Sequence, residues 1–240
     1  MAEAGPARAE AGFWAKTAAL VGKDLRLEAR GLETLAPMVV FCVAVALLLA
    51  FSLPDPVRPG RGALAEVIAG FLWVTVLFAG LIGFARTLES ERRDGALDSL
   101  LLAPLDRSGL FVAKAAANLV GVAAVEAVLV PLFWLLFDLR LGASWAALAG
   151  VALLVDVGFV ALGTLLSALA AQTRSRELLL PVLALPALVP VFVAAVELSA
   201  DLFAGRGFDA LAASGWFGVL LAFDVVACAV GALTFEYALE

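Results

Sequence analysis

Six apolar runs, each about the length of a lipid-crossing helix, divide this 240-residue chain. They occupy 35–53, 64–85, 110–137, 145–170, 178–197 and 214–235. A helix rises about 1.5 Å per residue, so roughly 20 residues cross about 30 Å of hydrocarbon. A strand would cross in about 10 residues and would alternate apolar with polar side chains. The runs do neither, so they read as helices. Hydrophobic residues make up 64% of the chain, and a soluble core of this size cannot absorb that excess. The sequence therefore predicts an all-α, polytopic membrane protein with six transmembrane helices.

The polar stretches order the spans. Residues 1–12 are rich in Ala, Gly and Glu and read as a disordered tail. The first 34 residues carry five basic side chains and no apolar core of the secretory type. Residues 13–34 read as an amphipathic helix on the membrane surface. At 100° per residue, Lys16, Lys23, Arg26 and Arg30 form one stripe, with Trp14, Ala18, Val21, Leu25 and Leu32 roughly opposite. Such a helix suits a leaflet surface, apolar side down and cations near phosphates. Asp24 and Glu28 interrupt the apolar arc, which turns part of it toward protein. The membrane domain proper covers 35–236.

Lys and Arg set the expected orientation. With the N-terminus inside, eleven fall on the cytoplasmic side: Arg8, Lys16, Lys23, Arg26, Arg30, Arg86, Arg92, Arg93, Arg107, Arg174 and Arg176. Four fall outside: Arg58, Arg61, Arg140 and Arg206. Lys114, within the third span, is expected to snorkel to the cytoplasmic surface. An even number of spans returns the C-terminus to the cytoplasm. Trp145 and Trp216 open the fourth and sixth spans at interfacial depth.

Chemistry inside the spans is sparse. Glu126, Asp156 and Asp224 are intramembrane carboxyls, and Glu197 nears the outer end of the fifth span. Each charge at mid-bilayer costs about 2.5–3.5 kcal/mol on insertion scales, so such groups face the bundle interior. Lys114, Asn118 and Glu126 share a side of the third span at one- and two-turn spacings. They belong either to a polar seam or to structural pairing. Pro181, Pro186 and Pro190 must break or kink the fifth span, placing it inside the bundle or beside a polar cavity. Cys42 and Cys228 read as small buried apolar residues.

The chain has no histidine, which removes histidine-based catalysis, zinc-protease motifs and histidine ligation of haem iron. A phosphate-cradling glycine loop is absent, and no soluble segment is long enough for an ATPase. No catalytic residue and no metal ligand is assigned. Uphill work would need a partner or an ion gradient.

The longest cytoplasmic connection, 86–108, is the segment most suggestive of a partner. Asp94 can cap a short helix running to Ala103, which Pro104 ends. Gly95 follows the cap, Leu97, Leu100, Leu101 and Ala103 form a leucine patch, and Arg92, Arg93, Asp94 and Asp98 form a polar rim. Apolar side chains on the water side of a membrane suit docking to a soluble protein.

Three segments carry a resemblance over nearly the whole chain: Lys23-Asp-Leu-Arg-Leu-Glu-Ala-Arg30; Leu72-Trp73 with Asp94-Gly-Ala-Leu-Asp-Ser-Leu-Leu-Leu-Ala-Pro-Leu105 and Lys114; and Leu178-Leu-Leu-Pro-Val-Leu-Ala-Leu-Pro-Ala-Leu-Val-Pro190. The chain resembles the haem exporter protein B family, CcmB-like. Asp98 and Asp106 depart from that pattern, where Glu and a second proline are usual.

The resemblance implies an ABC-2, exporter-type permease subunit of the system that matures cytochromes c in a bacterial inner membrane. It implies a separate cytoplasmic ATPase holding ATP-Mg, further maturation membrane proteins, a haem chaperone and, as a candidate, a second copy of this chain. Haem would be cargo, with no cofactor held by this chain alone and no nucleic-acid partner. Residues 92–104 would be the ATPase-coupling helix. Two alternatives are a permease for another lipid-like or drug cargo, and a proton-coupled secondary transporter using Glu126 and Asp156. The docking insert and the lack of repeat symmetry argue against the second.

Overall fold

A computed structural model describes residues 12–53, 62–87, 107–139, 144–171, 173, 176–206, 211 and 213–239. Seven α-helices and one short 3-10 helix account for nearly all of them. The helices are α1 (Phe13–Gly31), α2 (Leu35–Ser52), α3 (Gly62–Arg86), α4 (Arg107–Phe137), α5 (Trp145–Ala171), α6 (Arg176–Phe203) and α7 (Gly215–Thr234), followed by Tyr237–Leu239. Among the described residues there is no strand. Helices α2 to α7 are each long and apolar enough to cross a membrane. The chain is a multi-pass membrane protein, in the six spans that the run lengths predict.

Helices α3 and α5 are the most enclosed. Helix α3 packs on α6, and α5 touches α3, α4, α6 and α7. Helices α2 and α7 lie at the edges, each burying one narrow stripe: Met38, Cys42 and Ala46 on α2, and Leu220, Asp224, Ala227 and Gly231 on α7. These stripes repeat every three or four residues, as one helix face requires.

Aromatic rings meet glycines where the central helices cross. The Phe159 ring of α5 occupies the space a Cβ at Gly80 of α3 would take, and Phe84 of α3 does the same at Gly163 of α5. The two rings meet edge to face at 4.9 Å between centroids. Phe192 of α6 packs on Phe159, and Trp73 of α3 on Phe192. Trp73 donates its indole N–H to Ser199 Oγ at 2.9 Å, so its one polar atom is satisfied in the core. Without a hydrophobic drive between helices in lipid, such close packing holds a bundle together.

Helix α6 runs unbroken through all three prolines, so of the expected break or kink the break does not occur. Breaking a helix in hydrocarbon would strand far more backbone groups than the prolines themselves release. Its buried face carries Leu180, Ala184, Leu188, Val191, Ala195 and Leu198, while Pro186 and Pro190 face outward. Other expectations change. The helix also continues beyond 197 to Phe203, with Asp201 paired to Arg206 at 2.8 Å. Cys42 is buried, but Cys228 lies exposed on the outside of α7. The outward face of a span meets lipid, so an apolar sequence run does not distinguish buried from exposed.

Helix α1 has three sides. The basic stripe forms one flank and Trp14, Ala18 and Leu32 stay exposed on the other. Between them Thr17, Leu20, Asp24 and Glu28 face the bundle. Leu20 joins a second small core with Leu110 and Phe111 of α4, Leu165 and Ala168 of α5, and Phe235 and Ala238 after α7. A Cβ at Gly109 would come within 3.0 Å of Phe13, so α1 sits directly on the start of α4.

Candidate functional site

Two polar regions stand out in an otherwise apolar bundle. The first surrounds the roots of the 86–108 insert. Helix α1 ends at Leu32, whose backbone is left-handed at φ 51° and whose N–H returns to the Glu28 carbonyl. The turn aims the Glu28 carboxylate at the start of α2. Its Oε1 accepts from the Thr34 N–H at 2.9 Å and the Leu35 N–H at 2.7 Å. Those are among the donors a helix start leaves without intrahelical partners. Arg86, at the end of α3, donates to the Glu33 carbonyl of the same corner at 2.8 Å.

The other root, α4, is fastened by charge. Lys114 Nζ meets Asp24 Oδ2 of α1 at 2.8 Å, with the lysine side chain only 5% exposed. Its ammonium ends on the acidic partner that α1 supplies. Lys23 also reaches Asp24, at 3.3 Å. One turn further along α4, Asn118 ties three helices. Its Oδ1 accepts from the Thr87 hydroxyl at the end of α3 at 3.0 Å, and its Nδ2 donates to Thr164 Oγ1 of α5 at 2.9 Å. The Ser167 hydroxyl of α5 continues the polar line to the Thr164 carbonyl. Both stalks of the insert are thus anchored to α1, its corner and α5.

The second region is a layer of carboxyls nearer the opposite end. Glu126 and Asp156 each lie eleven residues from the near ends of α4 and α5, about 16 Å by helical rise. They are neighbours across the α4–α5 seam. Cys42 of α2 stands close to Glu126. Asp224 of α7 occupies the same layer on another side of α5, against Gly158. The carboxyls are thus not one cluster: Asp156 faces α4, whereas Gly158, two residues on, faces α7.

The sequence-predicted residues therefore separate into groups. Lys114, Asn118 and Glu126 of α4 each meet a different partner. Lys23 touches Asp24, while Arg26 and Arg30 lie on the exposed flank. Pro181, Pro186 and Pro190 join neither polar region. Arg92, Arg93, Asp94, Gly95, Leu97, Asp98, Leu100, Leu101 and Pro104 lie outside the described residues. Among the described residues no three His, Cys, Asp or Glu side chains gather as a metal ion would need. Asp24, Glu28, Thr87 and Thr164 were not singled out as polar anchors by their spacing. The available signal was the pair of acids interrupting an otherwise apolar arc.

The sequence model described as "CcmB protein" matches residues 15–240, from the first turn of α1 to the end of the chain. The chain belongs to the CcmB family. A relative named "Heme exporter protein B" from Rhodobacter capsulatus is 32% identical over 181 residues, covering 75% of this chain and 80% of that protein. Proteins of the same name from Bradyrhizobium diazoefficiens and Pseudomonas aeruginosa are 28% and 29% identical, covering 89% and 72% of this chain and 92% and 76% of theirs. The match to the CcmB family includes α1. That helix therefore belongs to the matched region together with the six spans.

Proposed function

We propose that this chain is the membrane permease subunit of a haem-export complex in cytochrome c maturation, worked by a separate cytoplasmic ATPase. The observation that carries this reading is the CcmB family match along residues 15–240, with relatives named "Heme exporter protein B". Six apolar helices supply a permease body, and the chain has no nucleotide-binding glycine loop of its own.

In this reading residues 92–104 form the coupling helix. Leu97, Leu100 and Leu101 are the anchors, ringed by Arg92, Arg93, Asp94 and Asp98. Buried apolar anchors with a polar rim are the usual energetic pattern of a docking site. Movement of the docked ATPase would pull on α3 and α4, and through Arg86, Thr87, Asn118 and Lys114 on α1 and α5. The ATPase would hold ATP-Mg, and this chain would perform no catalysis. Other maturation membrane proteins and a haem chaperone complete the complex, with a second copy of this chain as a candidate member. The bilayer would be a bacterial inner membrane, with both termini and the insert in the cytoplasm by the balance of basic residues.

The experiment replaces Leu100 and Leu101 with Asp and purifies the complex under mild detergent. Loss of the ATPase together with loss of c-type haem is the expected result. Retained ATPase and normal c-type haem would refute the coupling role. Deleting the gene separates cargoes: c-type haem should fall while b-type haem persists.

A further inference from the structure

Glu126 and Asp156 present a chemical problem that neither the packing nor the proposed export role resolves. Asp156 is 1% exposed and Glu126 8%, both deep within spans. They face each other at the same depth across the seam where α4 packs on α5. Two ionised carboxylates offer acceptors only, so a hydrogen bond between them requires a proton on one. Asp156 Oδ1 has no hydrogen-bond partner despite its burial. Ion pairs among the described residues join Lys23 and Lys114 to Asp24, and Arg206 to Asp201. None brings a cation to this seam. Lys114, on the same helix, is twelve residues away, about 18 Å by helical rise, and is engaged by Asp24.

The neighbouring elements add no base. From α2 the titratable neighbour is Cys42, and from α5 it is Asp156 itself. From α7 the nearest carboxyl is Asp224, which packs on the other side of α5. The charged residues of α3 are Glu66 and Arg86, and those of α6 are Arg176, Glu177, Glu197 and Asp201, all toward the helix ends. Two like charges in contact in a low-dielectric interior repel strongly, and one positive charge between them removes the repulsion.

We propose that Glu126 and Asp156 form a proton-binding site at the α4–α5 seam. The bound proton bridges the two carboxyls and holds α4 to α5. It joins one carboxylate oxygen on binding and returns to water as hydronium when the seam opens. Opening the seam thus exchanges one proton with water, and the bundle's stability becomes sensitive to pH. If the folded pair holds a proton that the unfolded chain releases, the unfolded state binds fewer protons and stability falls as pH rises.

The test uses the full chain purified in detergent. Infrared difference spectra on exchange into heavy water should show a protonated-carboxyl band at neutral pH. The band should persist in D224N, disappear in the double variant E126Q/D156N and shift or weaken in E126Q. Thermal unfolding should drop in midpoint from neutral to alkaline pH in the wild type and stay nearly flat in E126Q/D156N. A band unchanged in the pair variants, or lost only in D224N, overturns the proposal. So does a midpoint that follows sodium concentration and ignores pH, which would make the occupant a metal cation. Should the double variant fail to fold, the near-isosteric E126Q alone decides: an unaltered band refutes the site.

Discussion

Lys114 shows how much one side chain can depend on a residue ninety positions away. On α4 alone it is a cation too deep in an apolar run; with Asp24 of α1 above it, it is half of an enclosed ion pair at 2.8 Å. Breaking a buried pair by removing one partner costs about 3–5 kcal/mol, because the other charge is left uncompensated. Asp24→Asn should therefore lower the thermal midpoint in detergent clearly, and Asp24→Asn with Lys114→Met should recover most of the loss. Gly163 is constrained by shape. An added methyl would fall on the Phe84 ring, so Gly163→Ala should destabilise by about 1–3 kcal/mol, the usual cost of overpacking. Shortening the ring with Phe84→Leu in that background should regain part of it, read by the same melting curves.

Among the elements, α1 and α6 depart most from their sequence patterns. Helix α1 has the expected basic flank and apolar flank, but a third side between them grips α4 and carries the acid that caps α2. Glu28→Ala removes the acceptor of two backbone N–H groups, and loss of a helix cap costs about 0.5–2 kcal/mol. Faster amide exchange at the start of α2 should accompany the lower midpoint. Helix α6 carries its prolines without breaking, and Pro186 faces outward. Pro186→Ala restores a backbone donor without entering the core, so circular dichroism should show unchanged or greater helicity and a midpoint no lower than wild type.

At the scale of the molecule, α1, the roots of the insert and the final 3-10 helix gather at one end, while the carboxyl layer lies toward the other. This polarity lets a movement at the insert act on several spans at once, since Asn118 alone links α3, α4 and α5. The proposed orientation is directly testable by thiol labelling of intact cells, using a chain without its own cysteines. Thr173→Cys, exposed between α5 and α6, should resist a membrane-impermeant reagent until the membrane is opened. Ala213→Cys, exposed just before α7, should react at once. The reverse pattern would invert the topology.

Span number, helical class and the CcmB resemblance were legible from residues alone, because hydrocarbon thickness and backbone hydrogen bonding dictate the length and polarity of any crossing segment. Apolarity carries no such information about direction: Cys42 and Cys228 sit in equally apolar runs, yet one faces protein and the other faces out. Only the folded chain paired Asp24 with Lys114, joined Asn118 to Thr87 and Thr164, set Glu126 against Asp156 and moved Asp224 to another side of α5. Each of those contacts depends on how one helix is rotated against the next. Ring-into-glycine packing sets that rotation, and no single helix encodes it.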